Sequence, residues 1–251
     1  MTMIKLKKNE KIKQKNLKDY GEKTYNEINS LSYEEALSKD KRTFFQYYIS
    51  LLMTKQLLLF TFNCKNDYNS KMMKISFILY IFSIFLFVNT LFIGESILHD
   101  LFIFQGKIDL LYNYMNIIYI TLISSFVKNI LALIIFTEDD VISLKTDSNY
   151  RKQERIRKVL NRITIKFQLF FPLIIFSLVF IWVYIACFFT VYKNTQIFVL
   201  RNTLISFGIS LLIPIVFGFV PAMFRFTALA SRESKNRLCV YLFSKILQVL
   251  I

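Results

Sequence analysis

Four long apolar runs punctuate the chain, at Ile75–Ile93, Leu111–Phe136, Phe167–Tyr192 and Thr203–Met223. A helix of about 20 such residues crosses a hydrocarbon core about 30 Å thick, so each run predicts a transmembrane helix. The first has no charged residue over 19 positions. The second is the most polar: Thr121, Ser124, Ser125 and Lys128 fall at i, i+3, i+4 and i+7, on one helical face, with Asn113 and Asn116 further toward its start. Hydroxyls at that depth bond to neighbouring helices or line a path, so this face is the candidate polar site. The third run carries Pro172 in its first turns, where an early N–H lacks a helical partner and proline is tolerated. The fourth contains Gly208, Pro214, Gly218 and Pro221, a candidate hinge, with Pro214 expected to kink it. Ser206 and Ser210 in that run form a small-xxx-small pair suited to close helix approach.

The flanking segments read differently. Residues 1–42 are polar and rich in lysine, which predicts a mobile cytoplasmic arm and not a domain. Within residues 43–71, the stretch Thr43–Phe62 is long enough to cross, but Lys55 sits near its centre. Gln46, Ser50 and Thr54 form a polar stripe there at every fourth position. An interfacial amphipathic helix is therefore expected. The four-span domain occupies residues 72–229. Residues 230–251 alternate as a second amphipathic helix, with Tyr241, Ser244, Lys245 and Gln248 set against Leu242, Phe243, Ile246, Leu247 and Leu250.

Composition supports the membrane class: 55% of the 251 residues are hydrophobic, 27 of them Phe, and only five Gly and three Pro interrupt helices. The net charge of +15 sets the topology. Lys and Arg number 15 before the first run, eight between the second and third, and five from Arg225 onward, against one and two in the intervening loops. Lys and Arg resist translocation, so the rich segments are expected to be cytoplasmic, both termini included. Arg151, Lys152, Arg155, Arg157, Lys158 and Arg162 precede the third run and are the candidate lipid-headgroup contacts, each contributing about 1 kcal/mol near an anionic surface. Charge placed beside spans argues for lipid and against nucleic acid.

Candidate chemistry is sparse. His99 is the only histidine, too few for a metal site or a triad. No Asp or Glu lies within the four runs, which argues against a transporter coupled to buried carboxylates. Glu138, Asp139 and Asp140 are consecutive and point apart on a helix, as at a solvated span end. Cys64, Cys187 and Cys239 follow no disulfide or metal spacing. Phosphate-binding glycine loops, HExxH and GxSxG are all missing. Neither catalysis nor a cofactor is expected.

Three stretches carry a resemblance: DKRTFFQYYISLLMTKQLLLFTFNCKNDYNSKMMKISF (Asp40–Phe77), YIACFFTVYKNTQIFVLRNTLISFGISLLIP (Tyr184–Pro214) and FRFTALASRESKNRLCVYLFSKILQVLI (Phe224–Ile251). VYKNTQ followed by NTLISFG is the most specific part. Together they resemble the C-terminal multi-pass membrane module of large surface proteins of ciliates and apicomplexan parasites, among them the cysteine-repeat modular type. The resemblance implies a membrane module without transferable catalytic residues. With three cysteines in these residues, the surface-recognition role of cysteine-rich ectodomains is not expected to carry over. The chain is thus expected to be an all-α integral membrane protein with four spans and flanking amphipathic helices. It reads as a non-enzymatic anchor or assembly module that binds anionic lipid or a submembrane partner, alone, as a homo-oligomer or with other membrane subunits. The alternative is a channel or transporter subunit that uses the polar face of the second span and the kinked fourth.

Overall fold

A computed structural model of the protein describes residues 24–63, 67–106, 114–137, 141–142, 152–230 and 236–250, and every regular element among them is helical. Three short helices open the described chain, each started by a Ser or Thr cap. α1 (Tyr25–Asn29) begins at Thr24, whose hydroxyl accepts from Glu27 N–H at 3.2 Å while the Glu27 carboxylate accepts from Thr24 N–H at 3.0 Å. α2 (Tyr33–Lys39) is capped by Ser32, and α3 (Phe44–Lys55) by a reciprocal Thr43/Gln46 pair. Each cap satisfies orphan N–H groups that otherwise favour unravelling. The expectation of a mobile arm over residues 1–42 is therefore corrected for residues 24–42, which fold; residues 1–23 lie outside the described residues.

The bounds of the helix expected over Thr43–Phe62 are also corrected. α3 stops at Lys55, Gln56 turns extended, and a short π-helical turn follows at Leu59–Asn63. Twelve helical residues rise about 18 Å, too little to span.

The spans follow: α4 (Lys71–Leu91), α5 (Glu95–Ile103) in the connecting loop, α6 (Tyr114–Ile135), α7 (Lys152–Val191), α8 (Gln196–Phe217), α9 (Phe219–Ala230) and α10 (Asn236–Leu250). Among the described residues, four stretches are long and apolar enough to cross a membrane: Lys71–Leu91, Tyr114–Ile135, Ile156–Val191 and Gln196–Ala230. The protein is an all-α multi-pass membrane protein. α4 is its centre. It packs against α6, α7 and α8, and 61% of its apolar window is buried against 22–28% for the other three. Phe77, Ile81 and Phe85 of α4 meet Ile120, Ile185 and Val199 in one core.

Helix boundaries depart from the sequence reading in three places. α8 starts at Gln196, so the expected loop Lys193–Asn202 shrinks to the turn before it. α7 runs unbroken for 40 residues, about 60 Å, and Pro172 lies deep inside it instead of in a first turn. No glycine and no other proline interrupts Lys152–Val191, so helix propensity carries the basic segment straight into the span. The fourth stretch breaks at Gly218 and not at Pro214, which stays helical. At the end of the bundle beyond α5, Gly106 has φ 84° and a Cβ there would lie 2.8 Å from the Asn194 carbonyl, so the two turns at this end touch.

Candidate functional site

Opposite those turns, α1, α2 and α3 fold with α9 and α10 into a cap, and its hub is Arg225. This side chain is 1% exposed although α9 is strongly apolar. It donates to the Asn29 carbonyl at 3.1 Å, the Ile28 carbonyl at 3.2 Å and Asp40 Oδ2 at 2.9 Å. Ile28 and Asn29 end α1, where carbonyls lack helical partners and carry partial negative charge, so a cation there completes the helix. The guanidinium also lies 4.7 Å from the Tyr47 ring centre and 5.0 Å from that of Tyr241.

Arg42 closes the network. It binds Asp40 through Nε and Nη2, both at 2.8 Å, and reaches Asn29 Oδ1 and Ser50 Oγ through Nη1. Burial alone pushes the Asp40 carboxyl up, but Arg42 and Arg225 beside it outweigh that and hold it below its usual value. The Tyr241 hydroxyl donates to the Leu31 carbonyl at 2.7 Å, and burial pushes this phenol up to about 12. Ser50, from the stripe read as an interfacial polar face, is fully buried here. In α10 the polar positions Tyr241 and Ser244 are buried, and Leu242, Phe243 and Ile246 are exposed.

Beneath the cap lies a cavity of about 380 Å³. Lys55 of α3, Lys128 of α6 and Lys245 of α10 line it, with the amide side-chain residues Asn26, Asn29, Asn69, Asn129 and Gln248. Leu57, Phe60, Phe77, Leu133 and Phe136 form its apolar wall. Its described lining contains no Asp or Glu. Lys245 donates to the Ser30 carbonyl at 2.9 Å, and burial, aided by Arg225, pushes its pKa down. Lys128 is 8% exposed, makes no hydrogen bond or ion pair among the described residues, and is repelled by Lys55.

The four polar-face residues of α6 therefore separate. Thr121 donates to the Ile117 carbonyl at 2.7 Å and approaches the Ser206 carbonyl at 3.5 Å; Ser125 donates to Ser210 Oγ at 3.0 Å. Ser124 is fully buried in the same seam, its hydroxyl without a partner among the described residues. Lys128 instead belongs to the cavity. Of the hinge residues, Gly218 marks the break, donating its N–H to the Pro214 carbonyl at 2.9 Å, and Pro221 sits in the first turn of α9. Gly208 faces open space. Among the headgroup candidates, Arg157, Lys158 and Arg162 are exposed on α7. Lys152 and Arg155 are on the same helix with side chains outside the description, and Arg151 lies outside the described residues.

Sequence reading missed Asn29, Asp40, Arg42 and Arg225 as a unit. Thr24-x-x-Glu27, Ser32-x-x-Glu35 and Thr43-x-x-Gln46 were available signals for the cap helices. No family model, curated protein or solved structure matches the chain.

Proposed function

We propose that this protein is a non-enzymatic membrane anchor or assembly module whose capped end faces the cytoplasm, with both termini inside, and whose basic surfaces engage anionic lipid. The observation that carries the reading is the seam between α6 and α8. Thr121 and Ser125 direct their hydroxyls at backbone and at Ser210, so this part of the polar stripe, which could line a conduit, meets helix instead of water. Hydroxyl pairs of this kind contribute on the order of 0.6 kcal/mol each to helix association. Charge supports the orientation: the cap, the start of α7 and the chain after Arg225 all carry the Lys and Arg excess.

α7 extends the basic surface. Lys166 donates to the Phe136 carbonyl at 3.4 Å, where α6 ends. Counting 1.5 Å per residue from there, Arg162 lies about 6 Å and Lys158 about 12 Å further along the axis, within reach of headgroups.

Two measurements test the reading. Tags placed after Gly94 and after Lys193 should report outside, and tags at residue 30 and after Arg232 inside. Liposomes holding the purified chain should show no ion flux above empty vesicles, and Lys128→Met should leave that unchanged. A reproducible flux whose selectivity changes with Lys128→Met sinks the anchor reading in favour of a conduit.

A further inference from the structure

Buried cations in proteins are paired, because an ammonium removed from water without a counter-charge is strongly disfavoured. Lys128 breaks that rule among the described residues: it is 8% exposed, unpartnered, and placed so that Lys55 repels it. The arrangement brings Lys55, Lys128 and Lys245 from three separate helices onto one cavity, with no described carboxylate lining it. Lys245 is tied to the Ser30 carbonyl, so Lys128 is the cation of the cavity whose placement no described contact explains. An occupant with concentrated negative charge supplies what is lacking.

We infer that this cavity binds the phosphate monoester headgroup of a membrane lipid. A phosphomonoester carries about −1.5 to −2 charges near neutral pH and three acceptor oxygens, matching ammonium groups and amide donors such as Asn129 and Gln248. A phosphodiester offers a single charge to the same lining. The cavity of about 380 Å³ falls in the usual range of small-molecule sites. Its walls favour a lipid over a soluble phosphate. Leu133, on a membrane-spanning helix, lines the cavity and is 67% exposed, so the rim meets hydrocarbon. Phe60, Phe77 and Phe136 continue that apolar side, where an acyl chain can lie while the phosphate reaches Lys128.

The inference rests on the reading of this end as the cytoplasmic, anionic-lipid face, and its test separates the two. The full-length chain in neutral detergent is titrated with short-chain phosphatidic acid, short-chain phosphatidylcholine and glycerol 3-phosphate, following the unfolding midpoint and lipid retention by native mass spectrometry. Phosphatidic acid should raise the midpoint, phosphatidylcholine should not, and glycerol 3-phosphate should act only at far higher concentration. Lys128→Met should weaken phosphatidic acid binding by about tenfold or more, as expected for a lost charge-assisted contact. Lys128→Arg should largely retain it. Lys55→Met is the second cavity variant and should weaken binding too, so that poor folding of one leaves the other decisive. A control at the opposite end of the bundle, Lys193→Gln, should leave saturable binding intact, while a double variant on α7, Lys158→Gln with Arg162→Gln, should lower only association with the exposed basic surface. Undiminished binding by both Met variants overturns the cavity assignment; if the α7 variant alone abolishes it, the basic surface stands and the cavity does not. Equal potency of glycerol 3-phosphate overturns the lipid source. Failure of wild type to bind any anionic probe overturns both readings.

Discussion

The cap and the α6–α8 seam are both built from polar residues in a largely apolar chain, yet they hold together by different means. In the cap, full charges meet: Arg225 and Arg42 share Asp40, and two aromatic rings flank the guanidinium of Arg225. In the seam no formal charge takes part, and Thr121, Ser125, Ser206 and Ser210 exchange hydroxyl contacts with backbone and with each other. A buried ion pair depends on both partners, whereas a hydroxyl in a helix can fall back on its own i−4 carbonyl, as Thr121 does with Ile117. Damage to the cap should therefore be large and cooperative, and damage to the seam small and local. The cavity stands between them, with Lys128 held beside Lys55 and no described carboxylate in its lining.

The largest expected effect is at Arg225. Replacing it with Met strips two carbonyls at the end of α1 and Asp40 of a shared cation, and breaking a buried pair costs about 3–5 kcal/mol. Hydrogen exchange over residues 24–42 should then rise toward that of a free segment, while α4 and α6 keep their protection. Uniform loss across the spans would show that cap and bundle fold as one unit.

High pH attacks the same cap from another side. The Tyr241 phenol is raised to about 12 in the folded protein against an ordinary value near 10. A group whose folded pKa is raised contributes stability fully present below the unfolded value and lost as pH rises through the folded one. Protection of residues 24–42 should hold to about pH 10 and fall between about pH 10 and 12. Burial also pushes the neighbouring Tyr47 phenol up, so Tyr241→Phe, which also forfeits the bond to Leu31, should reduce that step and leave the part due to Tyr47.

Gly218 comes next. A Cβ there would clash with the Pro214 carbonyl and lie 3.7 Å from Leu51 Cδ2 of α3. Gly218→Ala must displace backbone or reseat α9 on α3, at about 1–3 kcal/mol. Gly208→Ala, which meets nothing within 4 Å, is its control and should be near neutral. Thermal unfolding of the two variants checks the contrast.

These sites differ in how far sequence alone discloses them. The four spans are legible because hydrocarbon demands a long apolar run wherever a helix crosses, whatever surrounds it. The continuity of α7 is less so: the charges of Lys152–Lys166 suggest a boundary, but charge does not end a helix, and no breaker lies there. The cap was illegible for a physical reason. Arg225 reads locally as a charge closing a span, and its burial depends on Asp40, Ile28 and Asn29, far away in sequence. The Gln46/Ser50/Thr54 stripe shows the same limit, since Ser50 faces Asn29 and Arg42 and not an aqueous interface. Likewise, periodicity groups Thr121, Ser124, Ser125 and Lys128 on one face, but a face about 10 Å long can meet different neighbours at its two ends.

The smallest expected effect, at the seam, sharpens the comparison most. Ser125→Ala removes the 3.0 Å contact to Ser210 Oγ, leaving a serine that can turn to a carbonyl in its own helix. Double-mutant cycles on comparable hydroxyl pairs in membranes average about 0.6 kcal/mol, so the coupling between Ser125→Ala and Ser210→Ala should be of that order. Each alanine is smaller than serine by one oxygen, so helix approach is preserved and no cavity opens. Stability in detergent, measured by steric trapping or thermal unfolding for the two singles and the double, supplies the cycle. The cap supplies the contrasting cycle, with Asp40→Asn and Arg225→Met, where the coupling should be several times larger because both members are charged and buried. If the seam pair couples as strongly as the cap pair, Ser125 and Ser210 do more than pack. The polar stripe of α6 would then have to be read as a site in its own right, which is the observation that returns the conduit to contention.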